Sequence, residues 1–388
     1  MAADDRNGTE GQAVGPRRVL FLCGRLEPNA ACRATVALTR QLRRFGYDTV
    51  LVARSGSIGQ VYPNNPVADD PDNPPVWLSR ALGHNLRGYM SLDRLVKRTS
   101  EFDPDLIHAQ GWELAHLAAR LVRRVRKPYV LSIGDLVDPG RSVSQSRRFL
   151  RGVTAASEAI RVDLVNRHHI PRDLIRVVPG GVDASMYPTR EPGMTDSAVP
   201  VIGMIGRLVA SQGQEQFLGM AHLLSVRGRR GLYVISGEGP DRKLLKNLIT
   251  DLNLTAQVTL VRHPVDQIQV LRALDVLVVP SLREALGLPI MEAMTCGIPV
   301  VAASAGGVFS LVENEKTGLL VAKNDPDALA GAVERLLDDR EGAARLARRA
   351  RKRVANHFNI EEAARQMIEV YNGSTRTAAE ASTVLSSR

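Results

Sequence analysis

Aromatic residues, cysteines and long apolar runs are all scarce in this chain of 388 residues. Phe, Trp and Tyr make up only 4% of it. It contains no helix-turn-helix pattern, zinc finger or aromatic-rich RNA motif, so nucleic acid is not expected as a partner. No apolar run approaches the roughly 20 residues that a membrane-spanning helix requires. The three cysteines, Cys23, Cys32 and Cys296, lack metal-ligand spacing and indicate a reducing compartment without a structural zinc site.

The N-terminus lacks the basic-then-apolar order of a signal peptide. Residues 1–16 are polar and acidic at their start, so we predict a disordered leader on a cytoplasmic protein. Residues 374–388 are small and polar, and we predict that they form a disordered tail.

Acidic residues are outnumbered, but only in the first half of the chain. The net charge is +10. Residues 1–190 hold 28 Lys and Arg against 19 Asp and Glu, whereas residues 191–388 hold 23 against 22. A basic surface can face an anionic membrane or a phosphorylated acceptor, and the alternative is a solvated surface. The same two interpretations apply to the predicted basic helix Glu113–Arg126, so a peripheral position at the inner face of the membrane is one hypothesis.

Short apolar runs alternate with helical patterns, which is typical of a parallel sheet with helices on both faces. In the first half, strands are predicted at Arg18–Cys23, Asp48–Ala53, Leu106–Ala109 and Tyr129–Ile133, with a helix at Ala34–Phe45. After a Gly- and Pro-rich stretch at 179–200, strands are predicted at Val201–Ile205, Leu232–Ser236, Val258–Val261, Val276–Pro280 and Val300–Ala302. We therefore predict an α/β protein of two doubly wound, Rossmann-like domains that face each other across a cleft. Ligands in such folds bind at the carboxyl ends of the strands.

The segment from Pro280 to Val301 is the most informative for function. Glu284 lies in a loop after a predicted strand, and Glu292 lies on the helix that follows Gly287. Backbone N–H groups at the start of such a helix suit a diphosphate, and carboxylates can accept hydrogen bonds from sugar and ribose hydroxyls. The alternative is that Glu284 caps the helix and Glu292 is an ordinary surface residue.

The spacing of Glu284 and Glu292, with LGLP between them and EAMTCGIPVVAASAGG after them, resembles the family 4 retaining glycosyltransferases of the GT-B fold. The resemblance runs from about Arg18 to Tyr371. It includes PGGVD at 179–183, GRLVASQG at 206–213, ISGEGP at 235–240 and AGGVFSLVENEKTGLLV at 305–321.

The resemblance implies a role for each part of the chain. An N-terminal acceptor domain would span 17–185, a linker 186–199 and a C-terminal donor-binding domain 200–357. A C-terminal helix at 358–373 would cross back to the first domain. The ligand would be a nucleotide-diphosphate sugar, with no metal and no other cofactor.

The resemblance also implies roles for single residues. Glu284 would contact the transferred sugar, Glu292 the ribose, and Arg207 the diphosphate. His263 and Pro264 follow a strand where the family reads the base, although His263 could equally be a loop histidine without contacts. His108 and Asp135 could supply polar contacts at the acceptor. The remaining predicted donor-binding residues are Gln212, Gly237, Glu238, Leu286, Gly287 and Leu288.

Several positions depart from the family pattern. Gln212 stands where the family has a lysine, and Pro28 to Ala31 replace its Gly-Gly pair. Two hypotheses follow. The chain is either a retaining transferase that acts on a glycan, lipid-linked or other acceptor in polysaccharide or glycolipid biosynthesis, or a catalytically degenerate GT-B protein that binds a nucleotide sugar or serves as a scaffold partner.

Overall fold

The computed structural model describes residues 17–62, 66–79, 92–138, 140–188, 190–195, 199–261 and 267–386. These residues form two parallel sheets, each covered by helices. The predicted architecture of two doubly wound α/β domains is confirmed.

The first sheet has seven strands in the order β3-β2-β1-β4-β5-β6-β7. They are Arg18–Leu22 (β1), Asp48–Ala53 (β2), Val76–Leu78 (β3), Leu106–Gln110 (β4), Tyr129–Ile133 (β5), Leu150–Ala155 (β6) and Ile175–Val177 (β7). The second sheet has six strands in the order β10-β9-β8-β11-β12-β13. They are Val201–Ile205 (β8), Leu232–Ser236 (β9), Val258–Val261 (β10), Val276–Val279 (β11), Val300–Ala303 (β12) and Leu319–Val321 (β13).

The helices lie between the strands. In the first domain they are Ala30–Arg44 (α1), Ile58–Val61 (α2), Leu92–Phe102 (α3), Ala115–Val125 (α4) and Glu158–His168 (α5). In the second they are Gln214–Val226 (α6), Arg242–Asp251 (α7), Gln267–Ala273 (α8), Leu288–Cys296 (α9), Val308–Leu311 (α10), Pro326–Asp338 (α11) and Arg340–His357 (α12), and Ile360–Ser386 (α13) follows. No helix of the described residues combines the length and the hydropathy needed to cross a membrane.

The strand order indicates where a ligand is expected to bind. The order reverses between β1 and β4 in the first sheet and between β8 and β11 in the second. At such a reversal the loops after neighbouring strands diverge and leave a crevice at the carboxyl ends. The residues that follow β4, β5, β8 and β11 therefore meet in the space between the domains.

The chain passes between the domains at two adjacent points. Val182 and Asn359 form a parallel bridge, and a Cβ at Gly181 would lie 2.5 Å from the Asn359 carbonyl oxygen. Only glycine allows this close approach. After the crossing, α13 packs against α1 of the first domain, where Tyr371 is fully buried.

The structure corrects the ends of three predicted helices. The helix predicted at Ala34–Phe45 begins four residues earlier, at Ala30, because the Asn29 side chain caps it by accepting from the Cys32 N–H. We expected the last helix to end at 373 before a disordered tail, but α13 continues to Ser386. Its last third is rich in alanine, the strongest helix former. The predicted helix Glu113–Arg126 is also shorter, because a 3₁₀ turn at Trp112–Leu114 precedes α4. The predicted leader, residues 1–16, lies outside the described residues.

Candidate functional site

The space between the two domains contains a cavity of about 1310 Å³. It is lined by the loops that follow the strands nearest to the two order reversals. Of the residues predicted as functional from the sequence, it brings together Asp135, Arg207, Gln212, Gly237, Glu238, Glu284, Leu286, Gly287 and Leu288.

Two loops of the second domain pack backbone against backbone at this cavity. The N–H of Gly206 donates to the Ser236 carbonyl at 3.0 Å, and the N–H of Leu208 donates to the Glu238 carbonyl at 2.9 Å. A Cβ at Gly237 would lie only 1.8 Å from the Gly206 carbonyl oxygen. These glycines therefore let the loops after β8 and β9 touch, and the contact holds Arg207 between them, exposed to the cleft.

Gln212 occupies the position where a second cation was expected. It lines the cavity, and its Oε1 atom would lie 2.8 Å from a Cβ at Gly206. Its amide therefore folds over the Gly206–Arg207 loop. An amide can donate to a phosphate, but it carries no charge. The charge of Arg207 is thus not reinforced at this position.

The loop after β11 presents Glu284 to the cleft. Its Oε2 accepts from the Ser281 hydroxyl at 2.9 Å, and its Oε1 accepts from the Ala285 N–H at 3.2 Å. Gly306 and Gly307 pack directly on this loop, because the Gly307 N–H donates to the Glu284 carbonyl at 2.9 Å. Burial raises the pKa of the Glu284 carboxyl, the Ser281 hydrogen bond opposes this, and the charge of Asp135 raises the pKa further.

The first domain faces Arg207 with two carboxylates. Asp135 follows β5 and Glu113 follows β4, and both line the cavity. Desolvation raises the pKa of each carboxyl, and a neighbouring carboxylate raises each pKa further. The charge of Arg207 lowers both pKa values. The arginine therefore lies within electrostatic reach of an acidic wall on the opposite domain.

Glu292, predicted as the ribose contact, lines a small pocket that shares Gly181 and Leu288 with the main cavity, and the ribose contact stays a prediction. Glu292 is 1% exposed and lies in a buried cluster that spans the domains. Arg33 of α1 donates to its Oε1 from Nη2 at 2.7 Å and from Nε at 2.9 Å, and to its Oε2 from Nη2 at 2.8 Å. The Tyr187 hydroxyl donates to Oε1 at 2.6 Å. All but one of the carboxylate's favourable acceptor positions are thus occupied by protein donors.

The energies of the ion pair and of the hydrogen bonds indicate how firmly the Glu292 carboxylate is held. Removing one partner of a buried ion pair costs about 3–5 kcal/mol, because it leaves an uncompensated charge. A hydrogen bond to a charged group, such as a ribose hydroxyl donating to this carboxylate, contributes about 1.5–3 kcal/mol. Two such bonds are therefore comparable in size with the ion pair to Arg33.

His108, predicted as a contact at the acceptor, lies in the core. It is fully buried on β4, with its Nδ1 2.6 Å from the Tyr371 hydroxyl and its Nε2 2.6 Å from the Ser132 hydroxyl. Burial lowers its pKa to about 3, so the ring is neutral. A parallel strand covered on both faces has no position open to the cleft in its interior, which corrects this prediction.

A profile for glycosyl transferases group 1 matches residues 189–353, and a profile for glycosyltransferase family 4 matches residues 32–186. The 2-deoxystreptamine glucosyltransferase of Streptomyces kanamyceticus is 31% identical over 304 residues, which cover 71% of this chain and 79% of that enzyme. The chain belongs to the family 4, group 1 glycosyltransferases. The family indicated by the sequence motifs is confirmed.

This glycosyltransferase has further relatives. The D-inositol 3-phosphate glycosyltransferase of Corynebacterium efficiens is 28% identical over 375 residues, 86% of this chain and 88% of that enzyme. Among solved structures, Anabaena HepE in complex with UDP and glucose superimposes with a TM-score of 0.74 at 22% identity, and the match covers 91% of this chain and 98% of HepE. At this identity the likeness establishes the GT-B fold.

Sequence reasoning missed two buried arginines of α1 in this glycosyltransferase, of which Arg33 is the partner of Glu292. Arg33 and Arg40 are each 1% exposed, although arginine is rarely buried without a partner. They lie seven positions apart on α1, on the face that buries Val36 and Ala37. Arginines within the apolar stripe of a helix were the available signal, because such a position demands a buried acceptor.

Two predicted residues cannot be placed. His263 and Pro264 fall within 262–266, outside the described residues. Within the described part of the chain, no group of three or more His, Cys, Asp or Glu side chains is arranged to hold a metal ion.

Proposed function

We propose that this glycosyltransferase transfers a sugar from a nucleotide-diphosphate sugar to an acceptor hydroxyl, with retention at the anomeric carbon and without a metal. The observation that carries the proposal is the juxtaposition of Arg207, Glu284 and the start of α9 on one cavity wall. A fixed cation meets the charge that develops on a departing diphosphate, and the first N–H groups of α9 add positive potential. Glu284 then accepts from hydroxyls of the transferred sugar.

The charges on the acceptor side of the cleft support a proposal for the chemical class of the acceptor. The charged residues of the described cavity lining comprise two arginines and five carboxylates, namely Arg25, Arg207, Glu27, Glu113, Asp135, Glu238 and Glu284. Arg25 lies 3.9 Å from Glu27, so the first-domain wall is acidic overall. Among acceptors rich in hydroxyl groups, such a wall favours one that bears an amine over one that bears a phosphate.

The names of the two enzyme relatives represent both kinds of acceptor. One enzyme is named for a streptamine, which bears amines, and the other for an inositol phosphate. We propose an amine-bearing polyol as the acceptor. This departs from the glycan or lipid-linked acceptor of polysaccharide or glycolipid biosynthesis that the family resemblance suggested. An anionic membrane surface is the alternative partner of the basic helix α4. Arg124 offers this alternative little support, because it pairs with Asp93 at 3.1 Å.

The proposal is tested by release of nucleoside diphosphate from UDP-, GDP- and ADP-glucose with three cyclitols as acceptors: 2-deoxystreptamine, myo-inositol and inositol 3-phosphate. We expect turnover with at least one donor, and kcat/KM highest for the diamine and lowest for the phosphate. Glu113→Gln should reduce the preference for the diamine over myo-inositol by about fivefold, the effect of one unit charge at about 4 Å in water. A preference for the phosphate would contradict the acceptor proposal.

A degenerate, non-catalytic protein is the second candidate, and Gln212 is the observation that favours it. Thermal protection by a donor without any turnover would support it and would overturn the transferase. If the chain is instead an enzyme whose turnover is limited because Arg207 alone faces the diphosphate, Gln212→Lys should raise turnover.

A further inference from the structure

A chain of four hydrogen-bonded side chains runs from the C-terminal helix to the first-domain wall of the cavity. The Tyr371 hydroxyl of α13 lies 2.6 Å from Nδ1 of His108, and Nε2 of His108 lies 2.6 Å from the Ser132 hydroxyl. The Ser132 hydroxyl lies 2.5 Å from the Thr154 hydroxyl. Tyr371 and His108 are fully buried, whereas Ser132 and Thr154 line the cavity. One end of the chain therefore borders the space where ligands are expected.

Ser132 and Thr154 reach the cavity because they lie near the ends of their strands. Each is the last residue but one of its strand, β5 or β6, and the two are aligned neighbours in the sheet. His108 lies deeper, at the centre of β4. In doubly wound sheets the carboxyl ends of the strands border the ligand crevice. The four side chains thus connect the interior of the sheet with its ligand-binding edge.

The number of available hydrogen atoms fixes the direction of this chain. A neutral imidazole carries a hydrogen on one ring nitrogen only, and burial keeps His108 neutral. If Nδ1 carried the hydrogen, the Tyr371 oxygen would accept from the ring. The hydroxyl hydrogen of Tyr371 would then be unpaired in the core, because within the described residues this hydroxyl has no other partner. A buried unpaired donor is costly, so Nε2 carries the hydrogen and Tyr371 donates to Nδ1.

This direction leaves one hydroxyl hydrogen over at the cavity end. Ser132 accepts from Nε2 of His108, and its contact with Thr154 uses one of the two hydroxyl hydrogens. The other hydrogen has no acceptor in the part of the chain that the structure describes. An oxygen of a bound molecule can accept it. The ionised carboxylates of Glu113 and Asp135, which also line the cavity, can only accept. The hydroxyl pair therefore adds a neutral donor to an acidic wall.

We propose that Ser132 and Thr154 form a hydrogen-bond donor site for a hydroxyl oxygen of the acceptor, and that His108 and Tyr371 are positioning residues that fix its direction. The inference rests on the proposed function for the identity of the ligand. An ammonium group has no lone pair and cannot occupy this site, whereas a hydroxyl oxygen can accept. The donor site and the carboxylates thus recognise different groups of one amine-bearing polyol.

The first arm of the test measures cyclitol binding. Either hydroxyl can carry the spare hydrogen, so the decisive variant is Ser132→Ala/Thr154→Val, which removes both. Calorimetric titration should show that 2-deoxystreptamine and myo-inositol bind this variant about two- to tenfold more weakly than the wild type, the effect of one neutral hydrogen bond. Among the monodeoxy analogues of myo-inositol, one should bind the variant and the wild type equally, because the same bond is missing in both.

Matched variants separate this effect from a loss of packing. Thr154→Ser keeps a hydroxyl and should retain most of the wild-type affinity for both cyclitols. Thr49→Val is the control, because Thr49 is a fully buried threonine of β2 in the same sheet that does not line the cavity. It should leave cyclitol affinity unchanged. Wild-type affinity in a folded Ser132→Ala/Thr154→Val variant overturns the donor site.

The second arm needs no ligand. Nitrogen-15 NMR of protein labelled at its eight histidines distinguishes a hydrogen on Nε2 from one on Nδ1, and His108→Gln assigns the His108 signals. We expect the Nε2–H form in the wild type. Tyr371→Phe removes the donor to Nδ1 and should raise the share of the Nδ1–H form, which the loss of a tyrosine with only a packing role would not do. A wild type in the Nδ1–H form overturns the proposal.

The outcomes keep this proposal apart from the proposed function. Cyclitol binding without any sugar transfer would refute the transferase, and the double variant would still decide on the donor site. Sugar transfer with unchanged cyclitol affinity in the double variant overturns the donor site and leaves the transferase in place. If neither cyclitol binds the wild type, the donor site as proposed is overturned. Should the double variant not fold, Thr154→Val, which preserves the shape of the side chain, takes its place.

Discussion

Glu284 and Glu292 lie eight positions apart on one segment and occupy opposite environments. Glu284 is half-buried, borders the cleft and accepts from neutral groups, the Ser281 hydroxyl and the N–H groups of Ala285 and Gly287. Glu292 is enclosed between the domains and is bound at both oxygens by a guanidinium. A carboxylate with neutral partners can exchange them for the hydroxyls of a ligand at little cost. A carboxylate paired with a buried cation exchanges its partner only at a higher cost, because the cation would be left uncompensated.

The same contrast separates the cleft from the interior elsewhere in the molecule. Asp135 and Glu113 follow the ends of their strands and line the cavity. His108, inside β4, is enclosed by hydrogen-bonded neighbours and uncharged. Position relative to the strand end, more than residue type, decides whether a polar side chain can meet a ligand.

The stability cost of losing each acid tests the contrast most strongly. Glu292→Ala should lower the free energy of unfolding by about 3–5 kcal/mol, because it leaves Arg33 buried without a counter-charge. Glu284→Ala should change it by less than about 1 kcal/mol, since it removes a carboxylate whose burial is already unfavourable. Urea denaturation of both variants measures the difference. Equal losses would mean that the two environments are not distinct.

Arg207 tests the cleft side of the contrast through activity. Arg207→Ala should lower kcat by about 10²–10³-fold, as expected when one group that stabilises a developing charge is removed. Its melting temperature should stay close to that of the wild type, because the side chain is exposed to the cleft. A coupled assay for nucleoside diphosphate release and a thermal melt provide the two measurements.

The control for this variant is an arginine of the second domain that forms an exposed ion pair. Arg229 pairs with Asp338 at 2.7 Å, and neither residue lines the cavity. Arg229→Ala should keep full activity, because exposed ion pairs contribute little and this one is remote from the cavity. If Arg207→Ala retained wild-type turnover, the proposed diphosphate contact would be wrong.

Most of the two sheets could be predicted from local sequence. The boundaries of β2, β5, β8, β9 and β10 agree with the prediction to the residue, because continuous apolar or β-branched runs end at charged residues, Gly or Pro. The strands β3, β6, β7 and β13 were not predicted. Three of them have only three residues, too few for a periodicity, and β6 contains Arg151 and Gly152. Their pairing depends on the neighbouring strand.

The cavity residues could be predicted because they follow strands. Arg207 comes two residues after β8 and Glu284 follows β11, and the ends of parallel strands converge at one edge. The partner of Glu292 could not be found in this way, because Arg33 lies 259 positions away. The position of Arg33 in the apolar stripe of α1 indicates a buried acceptor, but no local pattern encodes which element of the other domain supplies that acceptor.

His108 offers the smallest test, a dependence of stability on pH. Its pKa is lowered from 6.5 to about 3 by burial. Below pH 6.5 the unfolded chain takes up a proton that the folded protein does not bind. The stability of the folded protein therefore falls as the pH is lowered from 6.5 towards 3, by about 1.4 kcal/mol per pH unit for this one group. His108→Gln should remove that part of the slope in urea denaturation between pH 7 and pH 5.

Tyr371→Phe is the informative control for this measurement. It deletes the hydroxyl 2.6 Å from Nδ1 but leaves His108 enclosed, and burial is the cause of the lowered pKa. The slope should therefore survive in Tyr371→Phe and disappear in His108→Gln. A slope that is unchanged in His108→Gln would show that solvent reaches the ring, and His108 would then belong with the side chains of the cleft and not with those of the interior.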